Sequence, residues 1–333
     1  MKRVRIRDVA ERCEVSTATV SNVMNNKGRV SPETAERVRA SIKEMGFSPS
    51  QSARSLKTDR THLIAVIVPF LEKGKLHDNP FYWNLVSGVE AGARSRKLNV
   101  LLTGVDEETE TFSFITERQL DGVIVVGTHE GSRTMEEVLA RKVPTVFMDS
   151  FIQSAHVSRV TIDDEKGGWL GAGHLLDLGH EKVAVVTGKL EGNGVSRERL
   201  RGVKRAFMER KVPFPDDLII ERPVNMAHAR SLAKELKESG ATAVFSFSDV
   251  AAMGLLKGFA ECGVSVPGEI SIVGYDNLFF SDYTHPSLTT VAQDVEEKGQ
   301  IAVDLLFDQI EGRPSSKTVL DVKLIEREST AER

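Results

Sequence analysis

The sequence predicts an α/β protein in two unlike parts: a short all-helical head, then a body of two similar lobes built on parallel sheets. Three observations predict it. Apolar residues recur at helical spacing through the first 47 positions without a strand-like run. From Leu63 onward short β-branched runs alternate with amphipathic helical segments. Charge divides the same way, since residues 1–60 hold 13 Lys+Arg against 7 Asp+Glu and the remainder 31 against 41. With 333 residues the chain exceeds one small domain, and 40% hydrophobic with 28% charged residues excludes a disordered or collagenous polymer.

The head elements follow from their punctuation. Helices are predicted over 6–13, 16–25 and 31–45, with a short candidate at 50–56. Ser16 and Ser31 are natural N-caps, Pro32 and Pro49 stand at helix-starting positions, and Gly46 follows the third periodic stretch as a C-terminal cap does. In the body, apolar runs at 63–68, 100–103, 122–126, 145–148, 183–187, 243–247 and 270–273 alternate with helical segments such as 81–97. Continuous apolar strands between helices indicate parallel sheets covered on both faces. About half of the runs precede Asp163 and half follow it. A helix at 294–310, one last strand at 319–325 and a polar tail at 326–333 close the chain.

Ile6, Val9, Ala10, Val15, Val20 and Val23 form the inside of a helix-turn-helix, with small Ala10 where the two helices approach. Thr17, Ala18, Ser21, Asn22 and Asn25 share the outer side of the second helix, which fits a DNA major groove about 12 Å wide. Uncharged hydroxyl and amide groups reach bases and phosphates, while neighbouring Arg and Lys supply affinity for a polyanion. A basic head on an acidic body suits that partner. The competing reading of these spacings is a generic small helical bundle with a polar face.

The pattern Asp8-Val9-Ala10, Val15-Ser16, Thr19-Val20-Ser21 and Asn25, followed by Gly28-Arg29-Val30-Ser31-Pro32-Glu33-Thr34, resembles the lac-repressor (LacI/GalR) family of bacterial transcription regulators, and the resemblance runs on to Val322. It implies a head at 1–47 and a hinge helix and linker at 48–61. It implies further a periplasmic-binding-protein-like body, with an amino-terminal lobe from 62–161 and 293–318 and a carboxy-terminal lobe from 162–292 and 319–333. By resemblance Thr17, Ala18 and Asn22 read bases, while Ser16, Thr19, Ser21, Asn25, Arg29 and Ser31 anchor phosphates. The segment 48–57 is too short to be a stable helix alone. It resembles the family's hinge helix, with Leu56 as the minor-groove wedge, Ala53 packing on the dimer mate and Lys57 near phosphate. Glu14 departs from the family, which usually has Gly in that turn; a positive φ there costs about 1 kcal/mol.

Paired α/β lobes place strand carboxyl ends around a shared crevice suited to a small polar ligand. Four clusters follow predicted strands or begin a helix there: Asn79-Pro80-Phe81-Tyr82-Trp83, Asp149, Arg197 with Arg199, and Asp276 after Gly274-Tyr275. The resemblance makes Phe81 and Tyr82 the cover of a ligand face, Arg199 and Asp276 its polar anchors, and Asp149, Val195, Val224, Ser248 and Gln293 further candidates. Two departures touch this set. The first loop, residues 70–78, is longer than usual, and Ser248 replaces the common Asn before Asp249, which itself is an alternative helix cap.

The reading is a homodimeric regulator, a repressor by expectation. It binds a pseudo-palindromic double-stranded operator and answers a small-molecule effector, a sugar or glycoside ahead of a purine or nucleoside. A solute-binding module without DNA function, and an enzyme using Arg199, Asp149 and Asp276, are the competing classes. No cofactor or metal is expected: the eight histidines are scattered, with His174 and His180 lacking a third ligand, and no phosphate-binding loop or G-x-S-x-G elbow occurs. Cys13 and Cys262 read as structural fillers in a reducing compartment. The absence of a membrane-length apolar run or an apolar leader gives an expectation of a cytoplasmic protein with no membrane partner.

Overall fold

The computed structural model describes residues 4–28, 30–47, 60–69, 79–106, 111–154, 156–190 and 194–333. They form two compact units, Met1–Thr61 and His62–Arg333.

The first unit packs α1 (Ile6–Arg12), α2 (Thr17–Met24) and α3 (Pro32–Glu44) around Val9, Ala10, Cys13, Val20, Val23 and Val38. Ser16 caps α2 by accepting from Thr19 N at 3.0 Å, and Ser31 caps α3 by accepting from Thr34 N at 3.2 Å. Gly46 stands at φ +61° just past α3, and Glu14 takes φ +50° in the turn between α1 and α2. The expected helix at 50–56 lies outside the described residues.

The second unit holds two six-stranded sheets. The chain runs β1 (Leu63–Pro69), α4 (Pro80–Ser95), β2 (Asn99–Val105), α5 (Phe114–Glu117), β3 (Gly122–Val126), α6 (Arg133–Ala140), β4 (Thr145–Met148) and β5 (Ser158–Ile162). It continues as α7 (Asp164–Asp177), β6 (Val183–Thr187), α8 (Val195–Arg210), β7 (Ile219–Glu221), α9 (Met226–Ser231), α10 (Ala233–Glu238), β8 (Ala243–Ser246) and α11 (Asp249–Glu261). It ends with β9 (Ser271–Asp276), β10 (Thr289–Ala292), α12 (Val295–Ile310), β11 (Lys317–Leu320) and β12 (Lys323–Ile325). The sheet orders are β11-β5-β4-β3-β1-β2 and β12-β10-β9-β8-β6-β7, parallel throughout apart from the β10–β12 pair. Alternate residues feed opposite layers: Ile64, Val66 and Val68 meet α4 and α12, whereas Ala65 and Ile67 meet the layer of Ile115 and Val138.

The structure corrects two sequence expectations about this unit and its ending. The single strand foreseen at 319–325 is two: β11 extends the first sheet beside β5, and β12 joins the second antiparallel to β10. Asp321 and Val322 carry the chain across, so the first lobe runs to Leu320 and not to residue 318. Strands β5, β7 and β10 were not foreseen, since hydroxyl and charged residues interrupt the apolar pattern in Ser158–Ile162, Ile219–Glu221 and Thr289–Ala292. The polar tail packs as well, for Ser329 is fully buried, donating to Ile272 O at 2.6 Å and accepting from Thr289 N at 2.8 Å. Cys13 is buried as expected of a filler, but Cys262 is exposed at the end of α11.

Helix pairs approach closely where glycine leaves room. A Cβ on Gly168 in α7 would lie 1.9 Å from Arg199 O, and one on Gly202 in α8 would lie 1.8 Å from Glu165 O. In the first sheet's layer, a Cβ on Gly88 in α4 would lie 2.1 Å from Glu296 O, at the start of α12. These contacts set Arg199 against the first turn of α7, and the first turn of α12 against the aromatic start of α4.

Candidate DNA interface and effector cleft

On α2 the buried Val20 and Val23 turn one side inward and leave Thr17, Ala18 and Asn22 exposed on the other. Ser16, Asn25 and Ser31 are exposed, and Thr19 and Ser21 are half-buried. Several carry structural duties: Ser16 and Ser31 cap helices, and Asn25 Nδ2 donates to Ser21 O at 2.7 Å. The start of α2 presents short polar groups to the outside, suited to phosphate and base edges. Arg29, Ala53, Leu56 and Lys57 lie outside the described residues.

In the body, the carboxyl ends of β4 and β9 and the first turn of α12 converge on one hydrogen-bonded chain. Lys298, with no exposed surface, donates to both oxygens of Asp149 at 2.8 Å and to Gln293 Oε1 at 2.6 Å. Gln293 Nε2 donates onward to Asp276 Oδ1 at 2.6 Å. Asp149 and Asp276 occupy positive φ, +49° and +110°, conformations that side chains other than glycine adopt at a cost and that concentrate at functional sites. Phe81 stands with its ring 5.2 Å from the Lys298 ammonium and edge-to-face with Tyr82 at 5.7 Å. A cavity of about 400 Å³ opens beside the chain, lined by Asn84, Asp276, Asn277, Gln293, Asp321 and Lys323 among others.

Arg199, 7% exposed, donates from Nε to Asp164 Oδ1 at 2.9 Å and from Nη1 to Phe247 O at 2.6 Å, its guanidinium 3.4 Å from the Tyr275 ring centroid. Burial dominates the electrostatics. It pushes Asp164 up to about 6 although Arg199 opposes it, and Asp276 up to about 7 with Arg199, Gln293 and Lys298 opposing and Asp249 adding. Burial, then Asp149 and Asp276, raises the Tyr82 phenol. Among the described residues Asp164 Oδ2, Thr187 Oγ1 and Tyr275 Oη are buried without a hydrogen-bond partner.

Of the residues singled out from sequence, the structure gathers Phe81, Tyr82, Asp149, Arg199, Asp276 and Gln293. Ser248 is drawn into capping α11, accepting from Val250 N at 3.1 Å. Asp249 is therefore not the cap: its carboxylate accepts from Leu278 N, Ser281 Oγ and Thr290 Oγ1 at 2.6 to 2.8 Å, and burial raises it to about 6. Arg197 is exposed and donates to Leu190 O, while half-buried Val195 opens α8 and Val224 packs against the second lobe's core. Sequence reasoning missed Lys298, Asp164 and the stacking face of Tyr275. Lys298 reads as an ordinary cation in a charged first turn beside Glu296 and Glu297, and Asp164 as dipole decoration behind the capping Asp163. Among the described residues no helix is long and apolar enough to cross a membrane, and no cluster of His, Cys, Asp or Glu suits a metal ion.

Fold and site together define a class: a groove-reading helical head carried by a two-lobed body with a polar ligand cleft. Residues 5–50 match the bacterial regulatory proteins of the lacI family, and residues 172–330 match the periplasmic binding protein-like domain. The chain is 32% identical to the HTH-type transcriptional regulator DegA of Bacillus subtilis (strain 168), covering 99% of this chain and 98% of that one. It superposes on the lac repressor dimer bound to operator and the anti-inducer ONPF with a TM-score of 0.86 at 28% identity, covering 99% of this chain and all of that one. On the transcriptional regulator CelR in complex with cellobiose the TM-score is 0.75 at 28% identity, covering 98% of this chain and 100% of that one. The chain belongs to the LacI family of bacterial regulatory proteins. It is a DNA-binding transcriptional regulator and not an enzyme, and its periplasmic-binding-protein-like body binds a small-molecule effector.

Proposed function

We propose that the protein is a repressor whose effector, a sugar or glycoside, binds between the lobes and controls operator affinity. The observation that carries the reading is the cleft itself: a buried guanidinium at Arg199 and a buried carboxyl at Asp276, with Phe81 and Tyr82 close by. A planar Arg and a carboxyl suit vicinal hydroxyls through charge-assisted hydrogen bonds, and an aromatic face suits the apolar side of a sugar ring. The likeness to a regulator holding cellobiose supports the ligand class, and the likeness to a repressor on its operator supports the sense of regulation.

In this reading Thr17, Ala18 and Asn22 read bases of a pseudo-palindromic operator. Ser16, Thr19, Ser21, Asn25, Arg29 and Ser31 anchor phosphates, and Ala53, Leu56 and Lys57 form the minor-groove hinge. The lobes comprise 62–161 with 293–320 and 162–292 with 321–333. An effector that prefers one lobe arrangement changes the angle between the paired amino-terminal lobes and so orders or releases the hinges. A hundredfold preference supplies about 2.7 kcal/mol for that coupling. Selection of bound duplexes from a random pool, followed by a metabolite screen for compounds that move that binding, tests it. A palindromic consensus whose binding responds to a sugar is the expected result; no preference for any duplex over bulk DNA overturns it.

A further inference from the structure

We propose that residues 329–333 form an acid-released strap: the neutral ring of His180 latches them across the base of the second sheet, and a second proton on that ring lets them go. The strap follows β12 and passes the amino-terminal ends of β10 and β9, at the opposite end of those strands from Asp276. Glu328 N donates to Ser287 O at 3.1 Å, Ile272 N to Ser329 O at 2.8 Å, Ala331 N to Ser271 Oγ at 3.1 Å and Arg333 N to Leu178 O at 2.9 Å. Arg327 fixes its start, donating to Leu288 O at 2.7 Å and to Asn277 Oδ1 at 2.8 Å. An arginine keeps its charge at any pH the protein meets, so this anchor does not release.

His180 is buried beside the strap's far end. Its Nε2 lies 3.1 Å from Ala331 O and 3.0 Å from Ser271 Oγ, and its Nδ1 lies 3.0 Å from Thr242 Oγ1. A carbonyl only accepts, so Ala331 O keeps the single proton of the neutral ring on Nε2 and leaves Nδ1 to accept from the Thr242 hydroxyl. A second proton, on Nδ1, would meet that hydroxyl's hydrogen and oblige buried Thr242 to turn from donor to acceptor.

Charge works the same way. The charged groups acting on His180 are both cations, Arg333 on the strap and His174 on α7; with burial they lower its affinity for a proton, and only the Ala331 carbonyl opposes them. His174 stands 3.0 Å from Thr330 Oγ1, and burial lowers it too, against Glu326 on the strap and Asp177 on α7. A ring made less basic by docking gives the docked strap stability that is complete above its ordinary value of 6.5 and declines as pH falls below it. For His180 alone, the opening equilibrium at pH 5 exceeds that at pH 8 by up to about thirtyfold.

Hydrogen exchange read by mass spectrometry on the full chain between pH 8 and pH 5, with each rate divided by its intrinsic chemical rate, follows the strap. Peptides over 326–333 are expected to lose up to about thirtyfold of their protection below pH 6.5, while peptides over β6 and β8 keep theirs. His180→Gln offers an amide N–H to Ala331 O without a titratable ring, and is expected to hold most of the strap's protection at pH 5. Wild-type protection that does not change with pH overturns the proposal. So does an equal loss over β6 and β8, which means that the whole lobe opens, or a folded His180→Gln variant that loses as much as the wild type. Imidazole ¹H–¹³C NMR of the wild type needs no variant: a His180 midpoint below 6.5 is expected, and one at or above 6.5 overturns the latch.

Discussion

Replacing Arg199 by Met removes the guanidinium while keeping an unbranched stem that fills much of the space. What is lost is the ion pair to Asp164, the hydrogen bond to Phe247 O and the stack on Tyr275. At pH values up to about 6 Asp164 is protonated in either folded protein, so the variant loses about 2–4 kcal/mol from hydrogen bonding and stacking alone. Above that the two proteins diverge. A carboxyl raised in the folded state above its unfolded value of 3.8 gives stability that is complete below that value and is lost as pH rises toward the folded value. In the wild type the loss levels off near pH 6, where Asp164 ionises against Arg199. In the variant burial and Asp149 are opposed by Lys298 alone, the carboxyl holds its proton to higher pH, and the loss continues at about 1.4 kcal/mol per pH unit until it ionises. By pH 8 the gap between the two proteins is wider than at pH 6 by up to about 2.7 kcal/mol. Urea unfolding of both across this range measures it. A gap of the same size at pH 5 and pH 8 refutes the claim that Arg199 is the main group holding the Asp164 proton off, and the variant, still folded at pH 6, is expected to have lost its effector response.

Gly168→Ala gains about 0.5–1 kcal/mol in helix propensity, yet it drives a methyl against Arg199 O and costs about 1–3 kcal/mol in overpacking. Calorimetry is expected to show a lower melting temperature, with weaker effector binding because Arg199 moves with α8. Glu14→Gly relieves the +50° φ in the turn of the head and is expected to stabilise that unit by about 1 kcal/mol, read by thermal unfolding of the full chain; a destabilised head contradicts the strain. Leu56→Ala is expected to weaken specific operator binding in gel-shift titrations while effector affinity stays unchanged, and equal operator affinity removes the wedge role.

The head was legible because its signals are local. Ser16 and Ser31 meet backbone N–H groups three residues on, Gly46 ends the helix just before it, and Val9, Val20 and Val23 lie inside at plain helical spacing. The interior strands were legible for a similar reason, since a strand buried on both faces is apolar at every position, as in Gly122–Val126. Where a strand carries hydroxyls for a distant partner the pattern fails. Thr290 in β10 spends its hydroxyl on Asp249, 41 residues earlier in the chain. The chain Asp149–Lys298–Gln293–Asp276 was out of reach altogether, because Lys298 and Asp149 are separated by 149 positions and nothing around either one specifies the other. Composition and periodicity determine the head helices, the apolar interior strands and which side of α2 is bare. The order of the strands decides which charges are buried together, since a carboxylate or ammonium tolerates burial only beside a partner that tertiary topology delivers.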